Sequence, residues 1–263
     1  MRTLLICHEE ETLNRIVMPR WLASFSDLAG ILVLRETAKQ KRRRIKREIE
    51  RVGPLRFLDV LAFRLYCAAV LRSKDSRWEE RYLDQLCGRF AAIPQTTPVL
   101  VTSSPNAPEA GVFIRNAAPD IMIARCKALL KEEIFSIPRD GTFVMHPGIC
   151  PEYRNSHGCF WALANDDLER VGMSLLRIDR GIDTGAIFGY YTCHYDEMNE
   201  SHIVIQHRTV FDNLDSLRQK LEEIHTGSAV PIDVRGRRSA VWGQPWLTRF
   251  LRWKRAARRR RSA

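Results

Sequence analysis

The sequence predicts an α/β protein built on a mostly parallel, doubly wound, Rossmann-like sheet. Three observations carry this. Short apolar or β-branched runs recur along the chain, helix-period segments separate them, and turn residues bound each run. The 263 residues, 45% apolar, suffice for one good core with an appendage rather than two full domains.

Taken in order, residues 3–7 form the first strand, which meets His8, Glu9, Glu10 and Glu11 too soon to be the apolar region of a signal peptide. Residues 30–34, 99–102, 120–124, 142–145, 173–178 and 186–192 are the further strands. Between them, residues 38–51, 54–71, 78–89, 107–116, 127–134 and 157–164 have helical spacing. After Tyr195 the pattern changes. Asn199, Glu200 and Ser201 offer a cap for one long helix over residues 202–225, closed by Gly227, and a Pro/Gly-rich segment, residues 230–245, leads to a basic end. The expected organisation is an α/β domain over residues 1–195 and a helical extension over residues 196–263.

Composition excludes several classes. The longest apolar stretch, residues 57–71, is broken by Asp59 and Arg64, so it does not read as a membrane span. Seven cysteines, scattered singly and odd in number, argue against a disulfide framework or a zinc ribbon and suit a reducing cytoplasm. The net charge is +11, and all but three of those charges are matched by the eight Lys/Arg of residues 249–261, which contain no acid.

The chemistry lies in two segments. In the first, the strand Thr142-Phe143-Val144-Met145 runs into His146-Pro147; proline ends ladder pairing and forces the preceding residue extended, so His146 projects from a strand's carboxyl end. In the second, Gly181-Ile182-Asp183-Thr184-Gly185, two glycines flank an acid in a turn that can hold a carboxylate beside the sheet. An imidazole and a carboxylate together point to proton transfer.

His-Pro-x-x-x-Pro-x-Tyr, followed some thirty residues later by Ile-Asp-x-Gly, resembles the folate-dependent formyltransferase superfamily over roughly residues 107–192. The resemblance implies transfer of a formyl group from 10-formyltetrahydrofolate to a substrate amine, with no metal, and matches His146 and Asp183 to the family's catalytic His and Asp. The family's Asn two residues before that His, which hydrogen-bonds the formyl oxygen, is here Val144. Loss of one such donor costs on the order of 100-fold in rate. Thr142, Asn155 and His157 are the candidates to replace it. The resemblance also places the folate against Arg125, Cys126, Lys127, Leu129 and Leu130 after the 120–124 strand, and against Thr184 and Gly185. The relatives that act on a phosphorylated ribotide have a glycine-rich loop after the first strand. The acidic loop His8 to Glu11 has no glycine, so a small amine such as an amino sugar fits better, contacted by Ser104, Pro105, Asn106, Tyr153, Arg154, Asn155 and His157.

Plainer readings stand beside these. His8, His194, His202, His207 and His225 read as structural or exposed histidines. Asp183 could be a turn residue capping its own backbone. A zinc site from His146, Cys150, His157 and Asp183 fits no short-range ligand spacing. Residues 246–261 read as a basic amphipathic helix, suited to weak contact with an anionic membrane or nucleic acid, or else to packing on the body with a solvated end. Two other functions therefore compete with formyl transfer: altered acyl or one-carbon chemistry on the same fold, and a non-catalytic ligand-binding protein with an RNA- or membrane-binding tail.

Overall fold

The computed structural model describes residues 1–262. Its centre is a seven-stranded sheet in the order β3-β2-β1-β4-β5-β7-β8. The strands are β1 (Arg2–His8), β2 (Asp27–Leu34), β3 (Val99–Thr102), β4 (Ile121–Arg125), β5 (Gly141–His146), β7 (Met173–Arg177) and β8 (Ile187–Tyr191). The first five pair in parallel, whereas β7 and β8 are antiparallel to their neighbours. Each of the seven predicted runs is a strand, with ends displaced by at most three residues. A separate two-stranded ribbon joins β6 (Arg154–Asn155) to β9 (Val241–Trp242).

Alternation along β1 shows why this sequence needs two helical layers. Leu4 and Ile6 pack on one face with Leu32, Ile114 and Met122, and Leu5 and Cys7 pack on the other with Met18, Trp21 and Ile123. The second layer is seeded by α1 (Thr12–Ala23), a helix the sequence reading omitted although Leu13, Val17, Met18, Trp21 and Leu22 recur at helical spacing. Because β1 sends its connections to β2 on one side and lies against β4 on the other, the chain reverses direction at β1/β4, which opens a crevice at their carboxyl ends.

Three helical expectations change. Between β2 and β3 the chain makes a long excursion through α2 (Ala38–Val52), α3 (Pro54–Tyr66), a π-helical segment Cys67–Leu71 and α4 (Arg72–Arg89), so the expected gap at residues 72–77 is helical. The expected helix over residues 127–134 is mostly irregular loop, and only α6 (Glu132–Phe135) winds; Asn106 holds the loop open by donating to the Leu129 carbonyl and accepting from the Lys131 N–H, both at 2.8 Å. The expected long helix over residues 202–225 is two, α8 (His202–Phe211) and α9 (Leu214–His225), broken where the Asn213 side chain donates to the Thr192 and Thr209 carbonyls.

The remaining helices are α5 (Pro108–Ala117), α7 (Gly158–Ala164) and α10 (Leu247–Ser262). Residue 195 is not a packing boundary: Phe211, Leu214, Leu217 and Leu221 share one buried cluster with Trp21, Phe143 and Leu175. The basic α10 likewise packs on the body through Phe250, Trp253 and Ala257, leaving most of its arginines in solvent. No helix among the described residues is long and apolar enough to cross a membrane.

Candidate active site

His146 ends β5, paired with Ser174 of β7, and its ring is almost wholly buried. Its Nε2 lies 2.7 Å from the Tyr153 carbonyl oxygen, an acceptor, so this nitrogen carries a proton and donates. Its Nδ1 then faces Asp183 Oδ2 at 3.5 Å. Asp183 adopts a left-handed backbone, φ 51°, which its glycine-flanked turn permits, and its Oδ2 also accepts the Asn155 N–H at 2.7 Å. Two residues 37 positions apart thus meet on one side of the sheet.

The loop behind the ring is pinned by close backbone approach. A Cβ on Gly148 would lie 2.5 Å from the Tyr153 carbonyl oxygen and 2.9 Å from His146 Nε2, and one on Gly158 would lie 2.4 Å from Gly148 Cα. Ser174, which sequence reasoning missed, completes the support: its hydroxyl donates to the Gly148 carbonyl at 2.7 Å and accepts the Cys150 N–H at 2.9 Å.

Val144 projects from the same face as His146 into an apolar cluster of Cys150, Leu176, Ile187 and Tyr190. Ile232 and Val234 cover it, from a C-terminal strap anchored by the Ile232 N–H on the Ile187 carbonyl at 2.7 Å. Arg237 forks onto Glu152 at 2.9 and 2.6 Å, and Trp242 Nε1 donates to the Glu152 carbonyl at 2.8 Å. Of the three candidate replacements for the missing amide, Thr142 donates its hydroxyl to the Phe135 carbonyl and Asn155 donates its amide to the Trp242 carbonyl. His157 differs. Its Nδ1 has no partner, and burial, reinforced by the Lys127 charge, lowers its pKa to about 4, so the ring is neutral near pH 7.

A polar network lines the β1/β4 crevice. Arg125, at the end of β4, donates to Asn14 Oδ1 at 3.0 Å and to the Met145 carbonyl. Asn14 donates to Glu11 at 2.7 Å, and Glu11 pairs with Lys127 at 2.9 Å. Burial works to raise the Glu11 carboxyl, but Lys127 and Arg125 hold it below the usual range. The Lys127 N–H donates to His8 Nε2 at 3.0 Å, so the His8 proton sits on Nδ1, which is buried without an acceptor. Glu11, Asn14 and His8 were not singled out as site residues; the helical spacing of α1 was the signal that would have brought Asn14 to the crevice.

The other expected site residues are dispersed. Thr184 and Gly185 line a cavity of about 370 Å³ with Glu132, Phe135, Arg177 and Asp179, on the turn that also carries Asp183. Cys126 packs with Leu130 against the β1–β4 layer, and Leu129 is exposed. Tyr153 turns its ring away, stacked on Trp242 with its hydroxyl donating to Asp167 at 2.8 Å, and burial together with that bond pushes its pKa up to about 12. Arg154 donates to the Ile182 carbonyl at 3.3 Å. Ser104 caps Asn106 in the loop after β3, with three strands between β3 and β5, and Asn106 is spent on the 127–131 loop.

Fold and site together define a doubly wound α/β protein with an imidazole–carboxylate pair at the carboxyl end of its sheet. A family model described as formyl transferase matches residues 83–219, just over half of the chain, and the chain belongs to that family. Methionyl-tRNA formyltransferase of Thermotoga maritima is 29% identical over 141 residues, 53% of this chain and 44% of that protein. GDP-perosamine N-formyltransferase of Brucella melitensis is 28% identical over 102 residues, 38% of this chain and 39% of that protein. The chain therefore spans under half the length of these relatives. A sugar N-formyltransferase from a Shewanella species shares the fold, with a TM-score of 0.54 and 14% identity over 92% of this chain and 76% of that one.

Proposed function

We propose that this chain transfers a formyl group from 10-formyltetrahydrofolate to the amine of a small substrate, an amino sugar or similar, in the cytoplasm. The observation that carries the reading is the convergence of His146 Nδ1 and Asp183 Oδ2 at 3.5 Å. The bound folate supplies an acyl carbon already bonded to nitrogen. Two features of the chain fit it. The loop 126–130 is irregular, which leaves main-chain groups of Ala128 to Leu130 outside any helix, and the cavity of about 370 Å³ lined by Thr184 and Gly185 is of the size class that holds small ligands.

In this reading one proton leaves the attacking amine and one reaches the departing nitrogen. His146 is the group placed to carry it, and Asp183 orients the ring and stabilises it when charged. Both ring nitrogens face protein acceptors, so substrate engagement requires the Tyr153 carbonyl to withdraw from Nε2. His157, neutral and with one nitrogen unpartnered, is proposed to donate the hydrogen bond that Val144 does not. The GDP-perosamine relative and the acidic, glycine-free loop after β1 support a sugar amine over a ribotide phosphate.

A second reading, ligand binding without turnover, is favoured by the packing of Val144 in one apolar cluster with Cys150, Leu176 and Ile187. One experiment separates the two. A 10-formyl folate analogue should raise the melting temperature of both the natural chain and His146→Ala, while only the natural chain should deformylate 10-formyltetrahydrofolate in the presence of sugar-nucleotide amines. Stabilisation without turnover selects the second reading; no stabilisation sinks both.

A further inference from the structure

The helical excursion between β2 and β3 carries a surface that the site does not use. On α3, Val60 and Phe63 are buried, Phe63 against Phe160, His202 and Phe250. The leucines face elsewhere: Leu55 is 82% exposed, Leu58 60%, Leu61 41% and Leu65 63%. At about 100° per residue these four cluster on the side of α3 opposite Val60 and Phe63, forming one apolar stripe along an otherwise solvated helix. Leucines held at such exposure in register are an interaction surface, because scattered exposed residues would not repeat at this spacing.

Two basic helices pack on α3. One is α2, none of whose residues is buried and which holds eight Lys/Arg against Glu48 and Glu50; the other is α10, with eight Lys/Arg and no acid. Some of the α10 charge is used internally, since Arg260 pairs with Glu197 and Lys254 donates to the Glu197 and Glu200 carbonyls. Arg252, Arg255, Arg258, Arg259 and Arg261 remain exposed, as do Lys41 to Arg44 of α2. Both flanks and the stripe lie outside residues 83–219, so the surface is separate from the segment that defines the family.

We propose that the α3 stripe, with α2 and α10 at its sides, docks on an anionic lipid surface, the leucines entering the headgroup boundary and the cations meeting lipid phosphates. Charge complementarity selects this occupant. Pairing of two copies through this face would bring α2 and α10 of one chain against the same cations of the other. Nucleic acid would satisfy the cations and leave four leucines in water. An anionic bilayer uses both features, as interfacial helices with an apolar stripe and cationic margins do.

The test is co-sedimentation of the full chain with vesicles of phosphatidylcholine alone or with about 30% phosphatidylglycerol. The chain should pellet only with the anionic vesicles, about tenfold less so at roughly 0.5 M salt, where screening is short-ranged. Leu58→Ser with Leu65→Ser should weaken binding about tenfold while melting as the natural chain does, since both side chains are exposed. Failure to pellet with anionic vesicles overturns the proposal. So does equal pelleting of the double variant, which would mean adsorption by charge alone, or a dimer in solution that the double variant splits.

Discussion

Lowering the pH from 7 to 5.5 should destabilise the fold through two histidines, His157 and His207. Burial lowers both rings to about 4 from their ordinary value of 6.5. Between those values the unfolded chain binds protons that the folded chain refuses, so stability is intact above pH 6.5 and falls as the pH drops toward 4. For one histidine moved from 6.5 to about 4, the loss on going from pH 7 to 5.5 is about 1.2 kcal/mol. Both rings keep some contact with solvent, so about 2 kcal/mol for the pair is the discounted figure. His202, buried against Phe63 and Phe160 and lowered well below its ordinary value, adds in the same direction. Asp75 and Glu79, raised by burial, act with the opposite sign as they protonate, which is why the comparison stops at pH 5.5. In a chain of this size the melting temperature should fall by roughly 4–8 °C, read by circular dichroism at fixed ionic strength. His157→Gln with His207→Gln should remove about half of that pH slope, because His202 and His8, whose rings burial also lowers, remain. An unchanged melting temperature at pH 5.5, or a double variant as acid-sensitive as the natural chain, would refute the reasoning.

Three further outcomes follow from the site and its supports. Asp183→Asn keeps an acceptor for the Asn155 N–H and tolerates the left-handed backbone but removes the charge facing His146, so folate binding should persist while turnover drops about 100-fold in steady-state kinetics. Gly148→Ala forces a Cβ to within 2.5 Å of the Tyr153 carbonyl oxygen and 2.9 Å of His146 Nε2 and should cost about 1–3 kcal/mol in urea unfolding, with loss of activity as the ring is pushed out of line with Asp183. Trp253→Ala removes a ring that is 1% exposed, lies 4.0 Å from Lys254 Nζ and donates to Glu197; a loss of about 3–5 kcal/mol is expected, and an effect near zero would mean that α10 is a frayed tail.

What the sequence determined by itself is the sheet and the imidazole–carboxylate pair, His146 and Asp183, of the candidate site. Strand runs such as residues 99–102 and 142–145 are local signals, because short apolar and β-branched runs bounded by prolines act within a few residues of chain. The same holds for the Asp183 turn, where two glycines and an acid are sufficient to define the backbone. Tertiary structure decided the rest. Whether residues 127–134 wind depended on Asn106, more than twenty positions upstream, competing for their backbone. Whether residues 202–225 stay one helix depended on the Thr192 carbonyl drawing Asn213 out of line. The surroundings of Val144 were equally non-local: Val144 is visible in the sequence, but Ile232 and Val234, which join it in one apolar cluster, come from nearly ninety residues away. Period and propensity act over a few residues, whereas side-chain partners and buried polar networks are chosen by surfaces that exist only once the sheet has assembled.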